Sequence, residues 1–122
     1  MIDDRKNRYF DVTAGEWIEA VHFRLLDDVV SLWGIVPTGR RAFLFEGSDL
    51  VEFVRRCILV LLKHGAKPVR EGKHSWEFET KYGENHDDIA EGVIADWLAT
   101  GGGDPEWGEF SFALPYSLER QW

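Results

Sequence analysis

The stretch from Leu50 to Glu79 constrains this chain most, because its hydrophobic pattern changes period partway along. From Leu50 to Lys63 apolar side chains fall on nearly every side of a helix, the pattern of a central helix covered by the rest of a domain. Gly65 is its natural stop. Residues 67–70 and 75–80 then read as two strands joined by Glu71, Gly72 and Lys73, with Trp76 and Phe78 on one face and Glu77 and Glu79 on the other. A helix apolar all round cannot stand alone, so the flanking segments must cover it.

Those segments carry their own signals. Thr13 and Glu16 have capping-box spacing, and Val12 and Trp17 have the spacing of a hydrophobic staple. A helix is expected from residue 14 to about residue 27, with Trp17, Ile18, Val21, Leu25 and Val29 following at helical intervals. The next stretch, VVSLWGIVPTGRRAFLFEG, admits a short helix around Ser31 to Ile35 or one arm of a hairpin turning at Pro37 to Arg40. Two β-rich arms around PTGR favour the hairpin on local grounds. Asp49 and Glu52 repeat the capping spacing before the central helix. Asn85 can cap a third helix with Asp88 at its third position and Ile89, Val93, Ile94, Trp97 and Leu98 as the buried stripe. GGG stops it, Asp104 and Pro105 open a turn, and EFSFALP places Phe110, Phe112 and Leu114 on one face of a final strand. The expected fold is α+β: one domain over residues 1–122, with three main helices and a small antiparallel sheet built from a wing-like hairpin at 67–80 and a C-terminal strand at 109–114.

At 122 residues, 44% of them apolar and 14% aromatic, the chain can bury a core of its own. The opening MIDDRKNRYFD mixes both signs of charge without an apolar run, and the longest such run is Cys57 to Leu62. Neither a signal peptide nor a membrane span is expected, and a cytoplasmic setting is. The single cysteine, Cys57, lies among Ile58, Leu59 and Val60 and reads as a packing residue. Charge is informative when divided by position. Residues 1–82 hold 13 Lys and Arg against 13 Asp and Glu, whereas residues 83–122 hold one Arg against nine acids. The whole net charge of −8 therefore belongs to the last third. Such a flank keeps a protein soluble and attracts basic surfaces.

A helix, the element SLWGIV, a long helix ending in LLKHGA and a turn through VREGKHSWEFE together resemble a winged helix-turn-helix domain over residues 13–80. The resemblance implies that the helix before the hairpin enters the major groove and that the wing touches phosphates. Carried onto this sequence, the DNA contacts would be Arg55, Arg56 and Lys63 on the helix and Arg70 and Lys73 on the wing. The sequence departs from the family where base contacts arise, since GSDLVEF offers Asp49 and Glu52 there. Residues 38–82 hold nine cations against six anions, a small surplus for binding phosphates.

No constellation promises catalysis. The histidines at 22, 64, 74 and 86 lack the spacing of a helical zinc site, and His74, Glu77, Glu84 and His86 could meet only through the fold. His22 and His64 read as half-buried helix residues. Neither Ser48 nor Cys57 has a base beside it, and Asp87, Asp88 and Glu91 sit where a helix start attracts acids for stability alone. GGGDPEWG has the wrong order of elements for a phosphate loop, and Asp104 and Glu106 would repel the anion. No catalytic residue, metal or cofactor is expected.

Six tryptophans exceed the needs of so small a core; Trp17, Trp76 and Trp97 suit its gaps, while Trp33, Trp107 and Trp122 fall near loops or the terminus. The leading expectation is a protein-binding module, similar in its compact acidic character to bacterial immunity proteins, that inhibits a basic partner by covering it. Glu84, Asp87, Asp88, Glu91 and Asp96 would steer association and Trp107 would anchor the contact. The alternative is a winged-helix DNA-binding transcriptional regulator.

Overall fold

The computed structural model describes residues 2–116. Helix α1 (Ala14–Ala20) begins at the expected capping box: the Glu16 amide donates to Thr13 Oγ1 at 3.2 Å and the Thr13 amide to Glu16 Oε1 at 2.9 Å. The helix tightens into 3₁₀ turns over Val21–Leu26, so the helical stretch ends close to the expected boundary. Ala14, Ile18, Val21 and Leu25 form its buried stripe.

The segment after it is a helix and not the favoured hairpin. A two-residue strand β1 (Val30–Ser31) leads into α2 (Leu32–Pro37), which continues as a π-helical turn over Thr38–Ala42. Leu32, Ile35, Val36, Gly39 and Ala42 are buried at helical spacing, an arrangement that period-two alternation would have turned half outward. Turn chemistry misled here because PTGR serves packing. Pro37 forfeits one helical hydrogen bond, and a Cβ on Gly39 would lie 2.7 Å from Phe53 Cδ2, so only glycine lets this turn approach the central helix.

Helix α3 (Gly47–Lys63) starts before the expected Asp49 cap, which instead lies in the first turn; Glu46 occupies the N-cap without a side-chain bond. Phe53 is the hub of the core, its ring 5.5 Å from Trp17 and 5.6 Å from both Phe43 and Phe45. Cys57 is fully buried beside it in the chain's packing layer, and burial pushes its thiol well above the ordinary range.

Strands β2 (Lys67–Glu71) and β3 (Trp76–Phe78) form the expected hairpin, and β4 (Ser111–Ala113) joins it as expected. All pairings are antiparallel in the order β1-β4-β2-β3, so the last strand is inserted between the first strand and the hairpin. Phe112 stands between Val30 and Pro68 in register and is wholly buried. Helix α4 (His86–Ala99) is capped by Asn85, whose side chain accepts from the Asp88 amide at 3.0 Å, and packs along α3. Its stripe is Ile89, Ala90, Val93, Ile94 and Trp97, whereas the expected Leu98 is 47% exposed. The result is a small α+β domain of four helices and a four-stranded sheet among the described residues, compatible with a winged-helix-like arrangement.

One contact between α1's 3₁₀ extension and the end of α3 carries an expectation about pH. The His22 and His64 rings stack 3.5 Å apart and only 4° from parallel, and His22 Nδ1 is buried without a hydrogen-bond partner among the described residues. Desolvation, followed by the charges of His22 and Lys63, holds the His64 pKa below its ordinary 6.5. The unfolded chain therefore takes up the proton first, so this contribution is complete above pH 6.5 and is lost as pH falls through and below it. The melting temperature is expected to drop between pH 7.5 and 5.5, and His64→Gln should flatten that drop; an unchanged slope in the variant would count against the stack as its source.

Candidate functional site

The start of α4 presents acids for a local reason. Asn85 ends the preceding loop and caps the helix, and Asp87 and Asp88 occupy its first turn, where the backbone dipole favours negative charge by about 0.3–1 kcal/mol each. Glu84 sits just before the cap. All three carboxylate residues are exposed, and none makes an ion pair among the described residues.

Beside them lies an apolar cleft of about 450 Å³ between the end of α3, the hairpin and the loop that leads into α4. Leu62, Ala66, Pro68, Phe78 and Ile89 form its apolar lining, while Glu84 and His86 edge it on the α4 side and Lys67 on the strand side. Phe78 is 43% exposed, although its place beside Trp76 in the strand alternation suits a buried ring. It lies on β3, an outer strand of the sheet among the described residues. Sequence alternation gives the face of a residue and not whether the strand is at an edge, which is why Phe78 was missed.

The remaining acids expected to steer a partner are engaged within the molecule. Glu91 accepts from Arg55 Nε at 2.5 Å, and Asp96 is held by the Tyr82 hydroxyl at 2.7 Å and by Lys81 at 3.1 Å. Arg55 and Lys81 hold these carboxyls below the usual carboxylate range, with Tyr82 the larger cause at Asp96. Asp104, further along, is shared by Arg40 and Arg41 from the π-helical turn. Trp107 does not join the acids. It packs on Trp76 with ring centroids 5.8 Å apart and planes tilted by 60°, and borders a different cleft, with Trp17 and Trp33. Trp122 lies outside the described residues.

The residues named for DNA contact are placed less openly than a groove-reading surface would have them. Arg55 is bound by Glu52 and Glu91, Arg56 makes a two-pronged contact with Asp3 at 2.5 and 2.9 Å, and Arg70 reaches Glu79 at 2.7 Å and Glu77 at 3.4 Å. Lys63 and Lys73 are exposed and make no ion pair among the described residues. From Leu50 to Leu62 no residue of α3 is exposed, because α1, α2 and α4 all pack against it. Among the described residues no three metal-ligating side chains converge, and no helix is long and apolar enough to cross a membrane. Compared with known proteins, the chain matches no family model, no curated protein and no solved structure.

Proposed function

We propose that this protein is a non-enzymatic binding module that covers a basic partner protein, in the manner of an acidic inhibitor or immunity-type antidote. The observation that carries the reading is a run of carboxylates without an ion pair among the described residues, of which Glu84 lines a largely apolar cleft that contains the half-exposed Phe78 while Asp87 and Asp88 follow in the first turn of α4. Arginines elsewhere in the molecule neutralise Asp3, Glu91 and Asp104, whereas Glu84, Asp87 and Asp88 keep their charge where an apolar contact can also form; other acids that make no ion pair among the described residues, such as Asp27, Asp28 and Asp49, lie on other elements. Carboxylates at such a rim accelerate encounter with a cationic surface, and the buried apolar contact slows release. The fold adds a compatible scaffold, since domain architecture by itself does not commit a chain to nucleic acid.

A second reading, a winged-helix regulator, rests on the order of elements and on the exposed Lys63 and Lys73. Capture from native lysate with and without nuclease separates the two. The first reading expects a basic protein retained equally in both arms and released by salt. Retention of nucleic acid that nuclease abolishes, with no protein kept, would favour the regulator and sink the antidote.

A further inference from the structure

A second concave surface, which shares no lining residue with the cleft beside Glu84, carries three indoles. Antiparallel pairing of Val30 with Phe112 and Ser31 with Ser111, together with the Leu32 amide donating to the Phe110 carbonyl at 3.1 Å, fixes the loop after α1 against the loop before β4. This brings together tryptophans far apart in sequence: Trp17 from α1, Trp33 from the first turn of α2, and Trp107. Trp33 is 52% exposed and Trp107 63%, so the two rings forgo much of the burial that would normally stabilise them. Trp107 also packs against Trp76, which does not line the cleft.

Polar groups at this cleft indicate what it would take. Asp27 and Asp28 line it, are exposed, and make no ion pair among the described residues; the Asp28 carboxylate accepts only the Val29 amide at 2.7 Å. Arg24 lies over the Trp17 ring at 4.9 Å, so one aromatic face in the cleft already holds a cation of the protein itself. Two carboxylates against one guanidinium leave the cleft anionic. Indole faces attract cations through the ring quadrupole, and the gain is largest for a weakly hydrated cation that gives up little water. At about 320 Å³ the cleft is at the small end of ligand sites, suited to a head group and not to an extended molecule.

We infer that this cleft binds a methylated ammonium head group, held between the Trp33 and Trp107 rings and neutralised by Asp27 and Asp28. An ammonium sheathed in methyl groups offers no hydrogen bonds that the ring walls would leave unmet, and its charge is diffuse enough to be matched by carboxylates that do not touch it directly. A guanidinium would instead demand planar, two-pronged pairing. The inference is independent of the acidic face on α4.

Indole N–H resonances of the intact chain, assigned through single Trp→Phe variants, would be followed during titration with choline, with its neutral carbon isostere 3,3-dimethylbutan-1-ol, and with methylguanidinium. Saturable shifts of Trp33 and Trp107 are expected with choline, at least about tenfold tighter than with the isostere. Asp27→Asn combined with Asp28→Asn keeps the rings and should weaken choline binding by a similar factor without moving binding of the isostere. Equal affinity for the neutral isostere would make the cleft merely apolar and overturn the proposal. Tighter binding of methylguanidinium, or the lack of any saturable shift, would overturn it as well.

Discussion

Trp97→Ala is expected to destabilise the fold by about 3–5 kcal/mol, while Leu98→Ala, one residue further on, should cost well under about 1 kcal/mol. Trp97 is 1% exposed and Leu98 47% exposed, so the two truncations remove a core-filling indole and a side chain largely in water. Truncating Trp97 also removes its indole N–H donor to the Gly103 carbonyl at 2.7 Å, the bond that ties the end of α4 to the glycine-rich loop. Domains of this kind are stable by only about 5–15 kcal/mol, so the first change takes away about a fifth of the total or more. Thermal melts should place the Trp97 variant roughly 10–20 °C below the parent and the Leu98 variant within a few degrees of it. Equal shifts would mean that both side chains belong to the α3–α4 seam, as the sequence pattern alone had them.

The two residues show where sequence reading stopped. With about 100° between successive helical residues, Ile89, Ala90, Val93, Ile94 and Trp97 cluster in one arc, and Leu98 lies about 100° from its centre. Trp97 lies nearest that centre and the small Ala90 about 30° from it, so a stripe drawn through the large side chains alone passes over Ala90 and reaches out to Leu98. Elements were legible where their cause is local: the Thr13 and Asn85 caps, the stop at Gly65 and the hairpin alternation all act within a few residues. PTGR failed because its glycine answers to Phe53, a contact that no window around residue 39 contains. The charge map failed for the same reason. Asp3 meets Arg56, Glu91 meets Arg55 and Asp104 meets Arg40 and Arg41 across 36 to 64 residues of chain. Counting acids by thirds of the sequence could locate the surplus but not say which carboxylates were already engaged. Glu84, Asp87 and Asp88 remained legible because a helix start points its first acids into solvent.

That division yields the second large expected effect, on association kinetics. Replacing Glu84, Asp87 and Asp88 together by lysine changes the charge by two units at each position and should slow association with a captured basic partner by about 10–100-fold at low salt. The loss should shrink as salt is added, because the screening length falls from about 30 Å at 0.01 M to about 10 Å at 0.1 M. Lysines in the first turn also oppose the helix dipole, at about 0.3–1 kcal/mol each, so stability alone does not isolate the effect. The neutral set Glu84→Gln, Asp87→Asn and Asp88→Asn resolves this, keeping the helix start compatible with its dipole while removing the long-range field. Its rate should fall between parent and reversal. Glu91→Gln provides the contrast: Glu91 is already matched by Arg55, and losing its charge leaves Arg55 to Glu52 while Glu84 at the cleft is untouched. Its effect on the association rate should be several-fold smaller than that of the neutral triple set, and its cost in stability about 0–1 kcal/mol, as for other exposed pairs. Indistinguishable association rates for parent and reversal at low salt would remove the acidic rim from the mechanism, whatever the partner proves to be.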